Sequence, residues 1–421
     1  MPNESTTSRP TTSASASDTD RAKQLRAALA DRLRADGTIT SPAVEAAFRV
    51  VAREDLLPVE VPLETAYAAD HTVETKHDQR GVPISSVSAA RTQARMLEQA
   101  QLQPGMTVLE IGSGGLNAAL IAEIIGPHGR VVSVDIDPEV TELAEALLRV
   151  TGYTDRVTVQ QADAWHGVPG QGPFDATIVT ASTPDIAPTW LNQLTPDGVL
   201  VLPLVMNGLT RTIGFRRTGD HLTSTTTEPA SHLLPMRGAG QHIEQLLFLP
   251  DPNGNNITLR FDCAPPGDIG LLDGVLATAR SQLWAGVTVP DPNLLADLQL
   301  WFAWHLPGYC QLSADTGTEL AAEHGTWYPH AAVCGSAFTH LVVHTTSDGA
   351  GLELGARAYG TDSYLAAQAM IEQVQAWDHH GRHTTPTLSY WPTDSNHTQI
   401  PAGTPTLDKT HGVLTIHWPH N

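Results

Sequence analysis

Val108-Leu109-Glu110-Ile111-Gly112-Ser113-Gly114-Gly115 is an apolar run that passes into a glycine-rich turn, and Val132-Ser133-Val134-Asp135 lies downstream. A backbone bare of side chains lets a charged ligand approach, and the helix opening after it offers unpaired N–H groups. An acid at the tip of the next strand can accept both hydroxyls of a ribose. The stretch points to an adenosine-containing cofactor. A strand–turn–helix of this kind is weak by itself, because dinucleotide enzymes use one too. Two details favour S-adenosylmethionine. The turn lacks the third glycine of G-x-G-x-x-G, so it serves a pyrophosphate less well. Glu110, just ahead of the first glycine, would repel a phosphate but can pair with a sulfonium or ammonium group. Gln161-Ala162-Asp163-Ala164, after the third strand, is placed to bind an adenine N6 amine.

Outward from the turn, strand and helix alternate. The pattern predicts strands at 106–111, 130–135, 157–160, 175–180 and 199–204, with helices at 116–125, 138–150 and near 188–194. Val140, Leu143, Leu147 and Val150 share one face of the second of these helices. Apolar strands alternating with helices give an α/β, doubly wound, Rossmann-like parallel sheet covered on both sides. Residues 210–217 and 221–226 flank Gly219-Asp220 as an edge hairpin. Upstream, Leu25, Leu29 and Leu33 recur at helical spacing up to Gly37, and Ser41-Pro42 caps a second helix whose buried stripe is Val44, Ala47, Phe48 and Val51. Residues 56–88, with Pro58, Pro62, Gly81 and Pro83, read as a long irregular loop leading into the helix Ala90–Gln99.

Near Leu233–Gly240 the sequence changes character. The remainder reads as a C-terminal α+β domain, with strands at 245–249, 257–262, 338–344, 351–357, 387–391 and 413–418 and helices near 269–284, 292–304 and 363–377. It carries no catalytic motif. The resulting division is a disordered tail over 1–20, half of it Ser or Thr, an α/β domain over 21–235 and the α+β domain over 236–421.

The 421 residues carry 24 Lys plus Arg against 45 Asp plus Glu, a net charge of −21. That balance argues against nucleic acid and is compatible with a cationic peptide partner, although it also serves solubility. Cys263, Cys310 and Cys334 have no paired spacing and suggest neither a disulfide framework nor a metal site. His379, His380 and His383 read as part of a polar turn, and Trp301 and Trp304 as core. No run of about 18 apolar residues is present, so a cytoplasmic address without a membrane span is expected.

Residues 23–217 resemble protein-L-isoaspartate O-methyltransferases. The resemblance rests on Arg53-Glu54-Asp55-Leu56-Leu57-Pro58, on Ala66-Tyr67 through Asp70, and on Ser88 eight residues before Met96 in Ala94-Arg95-Met96-Leu97-Glu98. It continues through Val108–Gly112, Val131–Asp135 and Val179-Thr180-Ala181. It implies a class I methyltransferase domain using S-adenosyl-L-methionine and releasing S-adenosyl-L-homocysteine. The cofactor-binding residues are then Glu110, Gly112, Ser113, Gly114, Asn117, Asp135, Ile136, Asp163 and Ala164. The serine matching Ser88 lies beside the methyl sulfonium and the substrate carboxylate, with Ser86 as a second hydroxyl; Ser85, Val87, Val179, Thr180 and Ala181 would hold the substrate.

Two segments depart from the family. Its glycine loop reads E-I-G-T-G-S-G-Y, whereas Gly112-Ser113-Gly114-Gly115-Leu116-Asn117 is one residue shorter before Ala118. Its G-Q-T-I-S loop is replaced by Pro83-Ile84-Ser85-Ser86-Val87-Ser88, followed by Ala90 where proline is usual. With the C-terminal half, including Gly351–Arg357 and Ala376-Trp377-Asp378, these departures resemble a branch found in lanthipeptide and graspetide clusters. That branch implies methylation of an ordinary aspartate in a cyclised, ribosomally made precursor peptide. The ester then loses methanol to give an aspartimide, which can open to isoaspartate.

A carboxylate is already ionised at neutral pH, so its methylation needs alignment and exclusion of water more than acid–base help. Ser88 and Ser86 suit that task as orienting hydroxyls, not as nucleophiles; Ser88 alternatively caps the helix starting near Ala90. Three functions stay open: an aspartate methyltransferase for a modified peptide, a repair methyltransferase for isoaspartyl proteins, and a non-catalytic peptide-binding subunit with a degenerate cofactor fold.

Overall fold

The computed structural model describes residues 16–230, 233–262, 265–291, 294–324, 327–347, 349, 351–380, 382 and 384–419. Cys263, His383 and the first fifteen residues of the expected tail lie outside them. The chain falls into two units, Met1–Ala162 and Asp163–Asn421.

The first unit opens with helices α1 (Ala16–Ala35) and α2 (Pro42–Val50). Helix already begins at Ala16, which corrects the expectation of a tail reaching residue 20; Leu29, Ala30 and Leu33 are buried and anchor it. Ser41 caps α2, its hydroxyl accepting the Val44 N–H at 3.1 Å, with Pro42 at the first helical position.

Residues 56–88 are not irregular. They hold a short helix α3 (Leu63–Ala66) and an antiparallel hairpin of β1 (Val73–His77) and β2 (Pro83–Val87). Arg53 fastens this segment to the body. Its buried guanidinium donates to the Ala66 carbonyl at 2.8 Å and to Gln93 Oε1 at 2.7 Å. Asp78 closes the hairpin turn by accepting the N–H groups of Arg80 and Val82.

After α4 (Ala90–Ala100) come β3 (Thr107–Ile111), α5 (Leu116–Ile125), β4 (Arg130–Asp135), α6 (Pro138–Val150) and β5 (Val157–Gln161). The three strands are parallel and in register, Leu109 opposite Val132 and Val132 opposite Thr158. α5 is buried on nearly every side, as a helix between packed layers must be. On α6 the buried positions are Thr141, Ala144 and Leu148, one step round from the apolar stripe read in the sequence. Leu143 and Val150 are exposed.

The second unit begins with β6 (Phe174–Val179), α7 (Pro188–Gln193) and β7 (Leu194–Met206), with β6 and β7 parallel. β8 (Leu209–Thr218) and β9 (His221–Pro229) follow as the expected hairpin. Next come β10 (Gln245–Pro250), β11 (Asn256–Phe261), β12 (Arg280–Val289), α8 (Leu295–His305), β13 (Tyr309–Ala314), α9 (Glu319–His324), β14 (Trp327–Cys334), β15 (Ala337–Thr345) and β16 (Leu352–Gly360). The chain ends with α10 (Ser363–His380), β17 (Thr387–Pro392), β18 (Thr406–Lys409) and β19 (Gly412–His417).

β10 to β16 form a seven-stranded antiparallel sheet in the order β10-β11-β13-β14-β15-β16-β12. Ala366, Ala367, Met370 and Val374 form the buried side of α10. The helix expected near 269–284 is absent. Two 3₁₀ turns occupy Ile269–Leu272 and Val275–Ala277, and β12 follows, paired with β16. His379 and His380 end α10 and do not lie in a turn. β17 pairs with β9, Ser389 opposite Thr223, so β17–β19 extend the sheet that carries β6–β9. Among the described residues, no helix is long and apolar enough to cross a membrane.

Candidate active site

The turn after β3 is built for close approach. Gly112 has φ +100°, a conformation closed to most side chains, and its N–H donates to the Val134 carbonyl at 2.8 Å. A Cβ on Gly114 would stand 3.4 Å from Val87 Cγ2, so the bare turn packs directly under the end of the β1–β2 hairpin. Asp135 closes the far side. One carboxylate oxygen accepts the Ser113 N–H at 3.1 Å and the other the Asp137 N–H at 2.9 Å. Ile136 is half-buried beside it. Gly112, Ser113, Gly114, Asp135 and Ile136 therefore come together as the sequence suggests, and a bare turn facing a carboxylate fits an adenosine cofactor.

Glu110 corrects its expected role. It is fully buried and accepts hydrogen bonds from Asn117 Nδ2 at 2.9 Å and from the Ser133 hydroxyl, so it pairs inside the fold and not with a sulfonium. The Ser133 and Ser113 hydroxyls lie 2.8 Å apart. Burial pushes the Glu110 carboxyl up to about 7; the two hydrogen bonds oppose that rise and the nearby Asp135 adds to it. Asn117 is likewise committed within the fold. Both residues support the turn from beneath.

The hairpin supplies the acceptor side. A cavity of about 230 Å³ lies between the turn (Ser113, Gly114), the hairpin (Thr75, Lys76, Ser85, Val87) and the apolar face of α6 (Val140, Leu143, Leu147). Thr75 donates to the Ser85 hydroxyl at 2.9 Å. Ser86 is half-buried on β2 opposite Glu74. Ser88 follows the strand and is half-buried; the N-cap of α4 is Ala89, which makes no side-chain cap. Among the described residues, the Ser88 hydroxyl makes no hydrogen bond. The capping alternative for Ser88 is thereby removed. Lys76 went unnoticed in the sequence. Its Nζ lies 2.7 and 2.9 Å from the Asp137 oxygens and 3.0 Å from Glu139 Oε2.

The second unit carries the remaining expected residues. Asp163 accepts the Trp165 N–H at 3.0 Å and the Ala239 N–H at 2.8 Å, so its carboxylate is partly spent on its own backbone. Ala164 is buried, its carbonyl accepting the Trp190 indole N–H at 2.7 Å. Val179 is buried at the end of β6, with Thr180 and Ala181 half-buried just beyond. Ser182 exchanges 2.8 Å backbone bonds with Leu234 and Met236, which pins that loop. Asp185, also missed, is buried and satisfied by the Tyr390 hydroxyl and the N–H groups of Ile186 and His411, all at 2.7 Å. Among the described residues, no group of three or more His, Cys, Asp or Glu is placed to hold a metal ion.

The model of the protein-L-isoaspartate(D-aspartate) O-methyltransferase family matches residues 23–239, just over half of the chain. The protein-L-isoaspartate O-methyltransferase of Hyperthermus butylicus is 38% identical over 190 residues, spanning 43% of this chain and 76% of that protein. Its counterpart from Staphylothermus marinus is 36% identical over 200 residues, 45% of this chain and 84% of that protein. A solved structure of a protein-L-isoaspartate O-methyltransferase aligns with 20% identity and a TM-score of 0.48, covering 86% of this chain and 96% of that one. The chain belongs to the protein-L-isoaspartate(D-aspartate) O-methyltransferase family and is, as a member, an S-adenosylmethionine-dependent carboxyl O-methyltransferase.

Proposed function

We propose that the chain esterifies the free carboxylate of an isoaspartyl residue in a peptide or protein. The observation that carries this reading is the unspent Ser88 hydroxyl, one residue after Val87, which packs on Gly114 of the cofactor turn. S-adenosylmethionine, when bound, supplies an electrophilic methyl group on sulfur. Gly112–Gly114 would admit its polar end and Asp135 would take the ribose hydroxyls. Glu110 and Asn117 hold the turn in shape. Ser88, aided by Ser86, donates to one carboxylate oxygen and turns the other toward the methyl group. Ser85 and Val87 hold the acceptor's backbone. Water exclusion by the hairpin leaves the carboxylate under-solvated and reactive.

A second reading, methylation of an ordinary aspartate in a cyclised precursor peptide with passage to aspartimide, draws on one observation. The family match stops at residue 239, and the later residues build a seven-stranded sheet of their own. In that reading 236–421 is a domain that recognises the modified peptide. Mass spectrometry after incubation with S-adenosylmethionine separates the two. Methyl gain on a linear isoaspartyl peptide, and none on its aspartyl twin, supports the first. Methyl gain confined to a cyclised aspartyl peptide, followed by net loss of water, overturns it in favour of the second.

A further inference from the structure

We propose that Lys76 is a positioning residue for methyl transfer, clasping the acceptor hairpin to the start of α6 beside the ribose-binding acid. The proposal rests on the carboxyl-methylation reading. β1 and β2 form a two-stranded sheet of their own, five residues to a strand, with the register shifting on both sides of Lys76. A hairpin of that size is marginal in water unless something else holds it. Two hairpin residues tie this one to the turn and to α6: Val87 packs against Gly114, and Lys76 pairs with Asp137 and Glu139.

The second contact has an unusual partner. The buried Asp137 carboxylate already caps α6, accepting the Glu139 N–H at 3.1 Å, while its own N–H donates to Asp135. Lys76 stands opposite Ser85 in the hairpin register. A continuous path therefore runs from Ser85 through Lys76, Asp137 and Asp135 to the Ser113 N–H of the cofactor turn. Three rotatable donors on one ammonium suit two Asp137 oxygens and Glu139 together. Glu139 is exposed and its share is screened by solvent, so the buried Asp137 is the anchor. Removing Lys76 leaves Asp137 its backbone donors, so the α6 cap survives and the loss falls on the hairpin.

The test compares full-length wild type, Lys76→Met and Lys76→Arg. In Lys76→Met, kcat on an isoaspartyl peptide should fall about 10- to 100-fold, the scale of a misplaced reacting group. S-adenosylhomocysteine affinity by calorimetry should stay within about threefold, because no cofactor contact is removed. Hydrogen exchange of amides 73–87 should accelerate about tenfold or more. Lys76→Arg should recover most of each loss, since a guanidinium can bind the same carboxylate. An unchanged kcat, a parallel collapse of cofactor affinity, or an arginine variant as slow as the methionine one would each overturn the proposal. A wild type that methylates no aspartyl or isoaspartyl peptide overturns the functional reading, whereas the exchange comparison needs no turnover and decides the clasp by itself.

Discussion

Replacing Glu110 by Gln should change how stability depends on pH. Burial raises this carboxyl from 4.5 to about 7. Across that interval the native state keeps a proton that the unfolded chain has released. Rising pH therefore favours unfolding, and the stability present below about pH 4.5 is lost as pH climbs through 7. At about 1.36 kcal/mol for each pH unit of separation, the full penalty is about 3 kcal/mol, most of which falls between pH 5 and pH 8. Glutamine keeps the shape and can still accept from Asn117 or Ser133, but it cannot ionise. Urea unfolding of wild type and Glu110→Gln, followed by circular dichroism from about pH 5 to pH 8, isolates the contribution as the difference between the two curves. That difference should move in favour of the variant by about 2–3 kcal/mol toward alkaline pH. A flat difference, or one that moves the other way, would refute the assignment of a protonated, desolvated carboxyl beneath the turn.

Three other substitutions probe separate parts of the site. Ser88→Ala should lower kcat about 10-fold or more while S-adenosylhomocysteine affinity stays within about twofold; equal losses would remove its orienting role. Asp135→Asn should do the reverse, weakening S-adenosylhomocysteine binding by about 1.5–3 kcal/mol in calorimetry as charge-assisted hydrogen bonds are lost. Arg53→Met should destabilise the fold by about 2–4 kcal/mol, since Ala66 and Gln93 lose a buried charged donor, and a melting temperature equal to wild type would contradict this. Burial holds the Arg53 guanidinium down near 10, so it remains charged at neutral pH and the effect should not vary between pH 6 and 8.

The strands at the heart of the cofactor site were readable because parallel strands buried on both faces are plain apolar runs. The start of α6 was equally plain, as Asp137-Pro138 is a cap followed by a helix-compatible proline. The β1–β2 hairpin was hidden for the opposite reason. Its strands are half-buried and polar, so neither a run nor a clean alternation marks them. The apolar series over 269–284 fits a helical period, but Gly270 and Gly274 break it into two 3₁₀ turns, and from Arg280 onward pairing of β12 with β16 overrides local preference. The spacing of Val140, Leu143 and Leu147 implies a shared helix face, and that face lines the cavity. Ser88 was found through resemblance. Lys76 and Asp137 are 61 residues apart and only the fold unites them.

The three oxygens of Glu110, Ser133 and Ser113 carry a directional consequence. A hydroxyl has a single proton and cannot give it to two neighbours at once. With Glu110 ionised, Ser133 spends its proton on the carboxylate and has none left for Ser113. With Glu110 protonated, the acid donates to Ser133 and leaves the Ser133 proton free for Ser113, 2.8 Å away. The protonation of Glu110 thus decides whether the buried Ser113 hydroxyl of the cofactor turn receives a hydrogen bond from beneath.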